Sequence, residues 1–394
     1  MSAFVIDWFN LFLRWFHLIV GIAWIGASFH FVWLDFSFRK RETMNPGVYG
    51  TSWLVHGGGF YHVEKYQVAP PSLPDDLHWF KWEAYLTFLS GFLLMVAQYY
   101  VNASSFLVDP QILVMTGPEA VVISLFLLFS GWVGYDFLCR SAIGRHTGWL
   151  AISVFALIVL EGVLFTHVFS GRGAFIHTGA MIGTMMTANV FRVIIPNQRL
   201  VTRDLLAGRD PDAELLRIGK QRSLHNNYLT LPVLLFMVSN HYGFLYNHPQ
   251  AWAVIALIVL AGGLIRHFIN RVDAGATPSS VFWTLPLAAC GLMATIIITA
   301  PQSGSSGHRD VTDAEMMAIV GTHCSSCHAP KPRHEAFRDS GPPKGVLLDT
   351  VAHVRQNRQG VMTQSVQGRI MPLGNESKMT DEERATLGAW LAAR

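Results

Sequence analysis

The sequence predicts an all-α protein, in which a polytopic membrane helix bundle of about eight spans precedes a second, much smaller domain. Three observations support this prediction. The chain is 51% hydrophobic and only 14% charged, which is far from the composition of an average soluble protein. Long apolar stretches recur along the chain up to about residue 300. A short cysteine and histidine motif, CSSCH at residues 324–328, follows them.

Eight apolar stretches account for the predicted spans. Each is close to or above the length that a helix needs to cross about 30 Å of hydrocarbon. The fifth, which is rich in Thr and Asn, and the sixth are less apolar than the others, and a count of seven would place the chain ends on opposite sides of the membrane. The stretches are approximately residues 8–34, 83–101, 119–139, 148–168, 174–195, 227–246, 251–270 and 281–300.

The basic residues of the connecting segments favour the count of eight. Alternate loops are basic, whereas 102–118 and 247–250 contain no Lys or Arg and 169–173 contains only Arg172. Because basic loops stay in the cytoplasm, we expect a multi-pass protein of the inner membrane with both termini on the periplasmic side. The basic loop residues are Arg39, Lys40, Arg41, Arg140, Arg145, Arg199, Arg203, Arg209, Arg217, Lys220, Arg222, Arg266 and Arg271.

A flexible segment is expected between the two parts of the chain. Residues 301–307 read PQSGSSG, a composition typical of a linker. The sequence therefore predicts an integral membrane domain at 1–300, a linker at 301–310 and a small domain at 311–394. The amino terminus lacks the basic region of a cleaved signal peptide, so the first span is expected to be an anchor.

The motif at residues 324–328 has the spacing that covalent attachment of a c-type haem requires. Cys324 and Cys327 can add across the haem vinyl groups, and His328 is placed to ligate the iron. A redox-active dithiol is the alternative, but it does not need the histidine and usually opens a helix of a βαβ unit. Residues 311–394 are therefore predicted to form a small c-type cytochrome domain. Haem c is attached outside the cytoplasm, and the basic loops independently place the C-terminus on that side of the membrane.

The second axial ligand of this haem must come from further along the chain. Met371 is the best candidate, because the Pro-Leu-Gly sequence after it predicts an irregular loop that can present the thioether sulfur. A thioether ligand raises the reduction potential and suits the domain to accepting electrons. Met362 and Met379 are the alternatives, and they are expected to pack beside the haem or lie exposed. Residues 380–391 predict a final amphipathic helix that Thr380 caps.

Residues 53–82 have an unusual composition for a loop. They mix aromatic, histidine and glycine residues without a helical period, and they end with Trp79 and Trp82 at the membrane entrance. One interpretation is an interfacial belt, because Trp and Tyr are enriched at the headgroup level. The other is a structured lid or pocket wall, in which the glycines at 57–59 let the backbone approach a ligand closely.

Four segments resemble the membrane-bound, cytochrome c-linked urate oxidase (urate hydroxylase) family, and the resemblance extends over essentially the whole chain. It implies an eight-span N-terminal domain followed by a cytochrome c domain. It also implies oxidation of urate to 5-hydroxyisourate in purine degradation, with electrons passing to haem c and on to the respiratory chain through a soluble cytochrome c or a terminal oxidase. The segments are WFHLIVGIAWIGASFHFVWLD (15–35), HGGGFYHVEKY (56–66), LHWFKWEAYLTFLSGF (77–92) and GAMIGTMMTANVFRVIIPNQR (179–199).

Such a reaction would place a demand on the membrane domain. Urate loses two electrons, a haem iron accepts one at a time, and a site on the inner side would require electrons to cross a bilayer of about 30 Å. His17 and His30 could anchor a relay, because their separation corresponds to about 20 Å along one helix. With His167 or His177 near the outer side and His267 near the inner side, they would bind one or two b-type haems. Alternatively, each histidine only hydrogen-bonds within the bundle.

Recognition of the planar urate anion needs a guanidinium or amide fork, an aromatic face and a base. Asn189, Arg192 and Gln198 cluster at the inner end of the fifth span, and the first two are expected to share a helix face. Arg192 is alternatively a snorkelling anchor. Glu161, deep in the fourth span, is a candidate for a base, a proton path or an ion pair, or else a neutral structural carboxyl. These four are the predicted catalytic residues.

Two other functions use the same elements. A respiratory oxidoreductase could take electrons from a quinol or another small donor, and it would need an apolar side pocket open to lipid. A non-enzymatic electron-transfer anchor would need no pocket, which fits poorly with the many polar residues in and beside the spans. The sequence has no dinucleotide fingerprint, no Walker motif and no basic nucleic-acid patch, so it does not support those classes.

Overall fold

The computed structural model describes residues 3–66, 70, 72–74, 76–300 and 310–393. These residues form a helical bundle, one β-hairpin and a smaller helical unit. The α-helices are α1 (Ala3–Ser37), α2 (Trp82–Met95), α3 (Ala103–Phe106), α4 (Gly117–Arg140), α5 (Thr147–Val168), α6 (Gly171–Ala188), α7 (Ile195–Leu206), α8 (Ala213–Val238), α9 (Ala251–Asp273), α10 (Pro278–Val281), α11 (Thr284–Thr299), α12 (Asp313–His323), α13 (Val351–Gln356), α14 (Arg358–Val361) and α15 (Asp381–Ala393). The strands are β1 (Val48–His56) and β2 (Gly59–Tyr66), and π-helical turns lie at Val96–Tyr100, Asn189–Ile194 and Met362–Gln367.

Among the described residues, six helical segments are long and apolar enough to cross a membrane. Helices occupy all eight predicted positions, but α2 has only 14 residues before a π-helical turn, and α8 carries several charged and amide side chains in its first half. The structure is therefore consistent with a membrane helix bundle, and the count of eight spans stays a prediction. The six segments are Phe4–Ser37, Gly117–Arg140, Thr147–Val168, Gly171–Leu206, Ala251–Asp273 and Pro278–Thr299.

Small residues let the helices of the bundle approach closely. Gly162 of α5 faces Ile255 of α9, and Gly179 of α6 faces Phe236 of α8. A Cβ on these glycines would lie 2.9 Å and 2.8 Å from the opposing side chains, so a larger residue would force the helices apart. Close packing through small residues is typical of membrane bundles. Helix α8 packs against both α6 and α9, and its buried Asn226 and Asn227 hydrogen-bond to Met186 of α6 and Arg266 of α9.

A π-helical turn at Asn189–Ile194 interrupts the helical run that joins α6 to α7. Pro196 lies in the first turn of α7, and a proline inside a helix removes one backbone donor and clashes with the carbonyl four residues before it. The chain accommodates this proline by widening the preceding turn, in which hydrogen bonds run between residues five apart. Side chains before and after this turn are therefore rotated relative to an ideal α-helix.

Residues 48–66 form an antiparallel hairpin, which is the exception to the all-α prediction. Its strands are rich in aromatic and β-branched residues, which favour strands, and a search for helical periodicity does not detect them. Gly57 and Gly58 have φ angles of +59° and +80°, as the two central residues of a type I′ hairpin turn require. Trp53 and Phe60 are exposed, so these two side chains do not line a buried pocket.

The C-terminal unit, residues 310–393, has a hydrophobic core separate from that of the bundle. Leu387 and Trp390 of α15 pack in this core with residues of α12. Trp390 Nε1 also donates to Asp313 Oδ1 at 2.9 Å. Thr380 caps α15 through a hydrogen bond from Glu383 N, as the sequence predicted. Apart from its last residue, the predicted linker at 301–310 lies outside the described residues.

The C-terminal unit rests on one end of the bundle, which we call the docking face: α3 with the loop after it, and residues 243–247. Ser105 Oγ donates to Glu376 Oε1 at 2.5 Å, and Asn247 Nδ2 donates to the carbonyl of Gly368. Gly374, at φ +59°, lies so close to Ser105 O that a Cβ there would come within 2.5 Å of it. The docking face thus comprises two of the segments that lack Lys and Arg.

Candidate functional site

The CSSCH motif follows directly on the carboxyl end of α12. Cys324 is buried in the core of the C-terminal unit and Cys327 is half-buried, and both are free thiols. Burial raises the pKa of Cys324 to about 12 and also raises the pKa of Cys327. Reactive redox cysteines usually have a lowered pKa. The protonated, sheltered thiols therefore fit an attachment point better than a redox dithiol.

His328 is held by one ring nitrogen. Its Nδ1 lies 3.0 Å from the carbonyl oxygen of Val346, so the ring donates from Nδ1 and Nε2 is the nitrogen that remains available to a ligand. Metal-binding histidines typically donate their second nitrogen to a carbonyl in this way, which fixes the tautomer and the ring orientation. The geometry of His328 therefore fits an axial iron ligand.

The loop that carries Met371 is tied to the unit by hydrogen bonds. Met371 N donates to Gln364 O at 2.9 Å, and Arg384 Nη1 donates to Met371 O at 2.7 Å. Met371 itself is half-buried, whereas Met379 is 1% exposed and belongs to the hydrophobic core. Met371 is therefore the methionine on an irregular, anchored loop. Among the described residues, no three His, Cys, Asp or Glu side chains converge as a conventional metal site.

Among the described residues, two networks of polar side chains inside the bundle contain a buried arginine. The first, the Arg222 cluster, joins α4, α8 and the π-helical turn after α6. Arg222 is 2% exposed; its Nη2 donates to Asp136 Oδ1 at 2.7 Å and its Nη1 to Asn189 Oδ1 at 3.2 Å. The guanidinium also lies 5.0 Å from the ring centroid of Tyr135. The cluster consists of Tyr135, Asp136, Asn189, Arg222, His225 and Asn226.

The amides and rings of the Arg222 cluster satisfy one another. Asn189 Nδ2 donates to Tyr135 Oη at 2.9 Å and to Asn226 Oδ1 at 2.8 Å. Tyr135 Oη is in turn 2.8 Å from His225 Nδ1. The positive charge of the guanidinium has a carboxylate beside it, and Asp136 is shared with Arg140 on the same helix. The charge of Arg222 is therefore paired within the chain, whereas its Nε has no hydrogen-bond partner among the described residues.

The second network, the Arg266 cluster, lies between α1, α8 and α9. Arg266 is 5% exposed, and its guanidinium carbon lies 4.2 Å from the ring centroid of Phe29. Its Nε and Nη2 donate to Asn227 Oδ1 at 3.1 Å and 2.8 Å, and Nη2 also donates to Asn270 Oδ1 at 2.8 Å. No carboxylate of the described residues forms an ion pair with it. The cluster consists of Phe29, Asn227, Arg266 and Asn270.

The structure separates the four predicted catalytic residues. Asn189 is 1% exposed and belongs to the Arg222 cluster, whereas Arg192 and Gln198 are exposed. The expectation that Asn189 and Arg192 share a helix face fails because the π-helical turn between them changes the helical repeat. Glu161 is buried on α5, where Ser130 Oγ donates to Oε1 at 3.3 Å and Oε2 has no partner among the described residues.

The histidines predicted for a relay occupy different environments. His17 faces α2, with Nδ1 2.9 Å from Ser90 Oγ, and its ring fills the space beside Gly91. His30 and His167 are exposed. His267 Nδ1 lies 2.9 Å from Tyr228 Oη. The two ring nitrogens of the fully buried His177 both have partners, the hydroxyl of Ser124 and the carbonyl of Gly173.

The sequence analysis missed most members of the two clusters. It counted Arg222 and Arg266 as basic loop residues, but both are buried inside the bundle. Asp136 lies in a predicted span, where a carboxylate is costly and marks a partner or a function. Arg266 and Asn270, four residues apart on one helix face, give a similar signal. Their assembly depends on which faces of α4, α8 and α9 meet, and a single sequence does not contain that information.

The fold and the site describe a helical protein with membrane-length helices, buried polar clusters and a docked unit that carries a CxxCH motif. The chain belongs to the urate oxidase N-terminal family, whose model matches residues 3–300. This membership points to an oxidoreductase related to urate oxidation. Comparisons with curated proteins and with solved structures found no match.

Proposed function

We propose that the protein is a membrane-bound oxidoreductase that converts urate to 5-hydroxyisourate and passes the electrons to a haem c in its C-terminal unit. In this reaction urate takes up one water molecule and releases two protons and two electrons. The family match over residues 3–300 supports urate as the substrate. The CxxCH motif, which lies outside the matched region, supports haem c as the electron acceptor.

The observation that carries the proposal is the contact between the C-terminal unit and the bundle. The residues around Met371, from Gly368 to Glu376, contact Ser105 and Asn247 of the docking face. An electron that leaves the bundle through this face would therefore enter the unit at the loop beside its proposed iron ligand. A non-enzymatic anchor would need no such contact, so the docked arrangement favours an electron-transfer enzyme.

The residues of the C-terminal unit fit the group that we propose. Cys324 and Cys327 would hold haem c covalently, and His328 and Met371 would ligate its iron. When bound, the haem supplies a one-electron acceptor whose potential a thioether ligand raises. The chain contributes the hydrogen bond that orients His328 and the hydrogen bond from Arg384 that fixes the backbone of Met371.

A relay within the bundle is a separate proposal. One or two b-type haems would be held by His17, His30, His167 and His267, and Asn189, Arg192, Gln198 and Glu161 are the residues first considered for catalysis. His17 and His267 already hydrogen-bond through Nδ1 to side chains of neighbouring helices, an arrangement that can orient an axial ligand.

The docking face also bears on the orientation of the protein. The C-terminal unit contacts the bundle through segments that lack Lys and Arg, and such segments face away from the cytoplasm. We therefore propose an inner-membrane location with both termini and the C-terminal unit on the periplasmic side. A soluble cytochrome c or a terminal oxidase would accept the electrons there.

Anaerobic addition of urate to the purified, oxidised protein tests the proposal. We expect a reduced-minus-oxidised spectrum of haem c, with two electrons delivered for each urate consumed. The variant Cys324→Ala/Cys327→Ala/His328→Ala should lack covalent haem and the proposed axial histidine, so any haem spectrum that remains is expected to come from the bundle. Absence of haem from that folded variant would exclude the b-type relay.

The Met371→Ala variant tests the proposed ligand, with Met379→Leu as a matched control in the same unit. Covalent haem should persist in both variants, and only Met371→Ala should lower the reduction potential and slow reduction by urate. If oxidised wild-type protein with a full complement of haem c were not reduced by urate, the proposed function would be wrong.

A further inference from the structure

The Arg266 cluster contains more hydrogen-bond donors than acceptors. A single atom, Asn227 Oδ1, accepts from Arg266 Nε, from Arg266 Nη2 and from Asn270 Nδ2. Asn227 is fully buried, yet its Nδ2 has no partner among the described residues. Arg266 Nη1 has no acceptor there either. Since buried polar groups are normally hydrogen-bonded, the cluster lacks an acceptor-rich partner.

The same cluster carries an uncompensated positive charge. Asp273, two turns further along α9, attracts the guanidinium of Arg266 but forms no ion pair with it. Amide oxygens and the face of Phe29 stabilise a guanidinium, but they leave its net charge in place. Burying such a charge without a counter-ion is costly. The comparison with Arg222, which is equally buried but paired with Asp136, shows that the fold can supply a carboxylate where the charge is structural.

The surroundings of Arg266 provide an aromatic face and open space. Phe29 of α1 lies against the guanidinium. A Cβ built on Gly26 of α1 or on Gly263 of α9 would meet no atom within 4 Å. Gly263 lies three residues before Arg266, and Gly26 three residues before Phe29, so each glycine shares a helix face with a member of the cluster. Gly263 is half-buried whereas Gly26 is exposed, so the open space beside the donors reaches the outer surface of the bundle.

We propose that the Arg266 cluster is the recognition site for the planar urate anion. Urate carries a negative charge and carbonyl acceptors, which match the donors of Arg266 and Asn227, and its flat ring system matches the face of Phe29. This inference rests on the proposed function and names the substrate site within it. Arg266 forms the charge-assisted hydrogen bonds, Asn227 donates through Nδ2, and Phe29 stacks.

Equilibrium dialysis against urate measures the binding directly. The full-length protein is first reduced with dithionite, so that urate binds without being consumed. We expect Arg266→Gln to raise the Kd for urate at least tenfold, because it removes charge-assisted hydrogen bonds. Arg266→Lys keeps the charge but loses the planar fork, and its Kd should fall between those of Arg266→Gln and the wild type. The control is Arg271→Gln, an exposed arginine on the same helix, which should bind like the wild type.

Folding is monitored in each variant by its content of covalent haem and by thermal unfolding. If a folded Arg266→Gln variant bound urate within twofold of the wild type, the site would be wrong while the proposed function stood. If wild-type protein neither bound urate nor accepted its electrons, both would fail. Should Arg266→Gln not fold, Phe29→Leu decides: a Kd raised at least threefold supports the site, and an unchanged Kd overturns it.

Discussion

Arg222 and Arg266 are buried to a similar extent in one bundle, yet their charges are balanced in different ways. Arg222 has a carboxylate 2.7 Å away, whereas Arg266 contacts only amide oxygens and an aromatic ring. A guanidinium with its own carboxylate has its charge paired within the chain. A guanidinium without a carboxylate partner keeps an unpaired charge and free hydrogen-bond donors, which a ligand can bind. Substitutions at the first should therefore change stability, and substitutions at the second should change binding.

The largest expected effect is on stability, at Asp136. Asp136→Asn removes the counter-ion of Arg222 and leaves a buried charge unpaired, which costs about 3–5 kcal/mol. We expect a large fall in the yield of folded protein and in the midpoint of thermal unfolding. Replacing both partners, in Asp136→Asn/Arg222→Met, removes the unpaired charge and should recover part of the loss.

Asp204 provides the matched control for this prediction. It also forms ion pairs with two arginines, Arg203 and Arg209, but these arginines are exposed. Exposed ion pairs contribute little to stability, so Asp204→Asn should barely shift unfolding. If Asp136→Asn and Asp204→Asn had equal effects on unfolding, the buried ion pair of Arg222 with Asp136 would contribute no more to stability than an exposed one.

The next effect concerns a third buried arginine, Arg384 of the C-terminal unit, which is balanced by oxygen acceptors rather than by a direct ion pair. Its guanidinium donates to the carbonyls of Ser365 and Met371 and to Asn375 Oδ1, and burial lowers its pKa. Arg384→Met should destabilise the unit by about 2 kcal/mol, a typical value for hydrogen bonds to a charged group.

Because Arg384 anchors the Met371 loop, the same variant should also lower the reduction potential of the C-terminal unit, as measured by redox titration. The exposed Arg358 of the same unit serves as the control, and Arg358→Met should leave the potential unchanged. If folded Arg384→Met had the wild-type reduction potential, the hydrogen bond from Arg384 to the Met371 loop would not influence that potential.

The smallest expected effect is the pH dependence of one cap. Hydrogen bonds to Glu383, first from Thr380 N and then from His323, hold its pKa below the ordinary value of 4.5. A depressed folded pKa contributes stability that is present above the unfolded pKa and is lost as the pH falls through the folded value. Glu383→Gln should therefore lower the unfolding midpoint at neutral pH, by at most about 0.5 kcal/mol in stability at this partly exposed site.

As the pH falls through the lowered pKa of Glu383 in the folded protein, the unfolding curves of wild type and Glu383→Gln should converge, because both side chains are then neutral. The exposed neighbour Glu382 supplies a control in Glu382→Gln. A difference between Glu383→Gln and wild type that persisted unchanged in acid would mean that the cap acts through packing rather than charge.

The bundle was predictable where the signal is local. Apolar length located every long helix, and the Thr380 cap and the CSSCH motif are patterns of a few residues. The hairpin at 48–66 was not predicted because side chains along a strand alternate with a period of two, whereas the spans were predicted from long apolar stretches and helical periodicity. The start of α8 was missed because its first turns are polar and largely exposed, so an apolar stretch does not mark where the helix begins.

The candidate site was less predictable for a related reason. Arg222 and Arg266 were counted among the basic residues of cytoplasmic loops, since a basic residue near the end of an apolar stretch usually faces water. What distinguishes them is the neighbour on another helix: Asp136 for the first, and Phe29 for the second. Asn189 and Arg192 were paired by ideal helical geometry, which the proline at 196 disturbs.

That π-helical turn also bears on which changes of length the protein can accept. A π-helical turn holds one residue more than an α-helical turn, so deleting one residue between Asn189 and Ile194 would restore ordinary α geometry and leave the faces of α6 and α7 on either side nearly unchanged. Deleting a residue elsewhere in α7 would instead rotate the rest of that helix by about 100° and turn buried residues such as Val201 away from the bundle. Relatives of this chain should therefore tolerate the loss of one residue in this turn better than at other positions of these two helices.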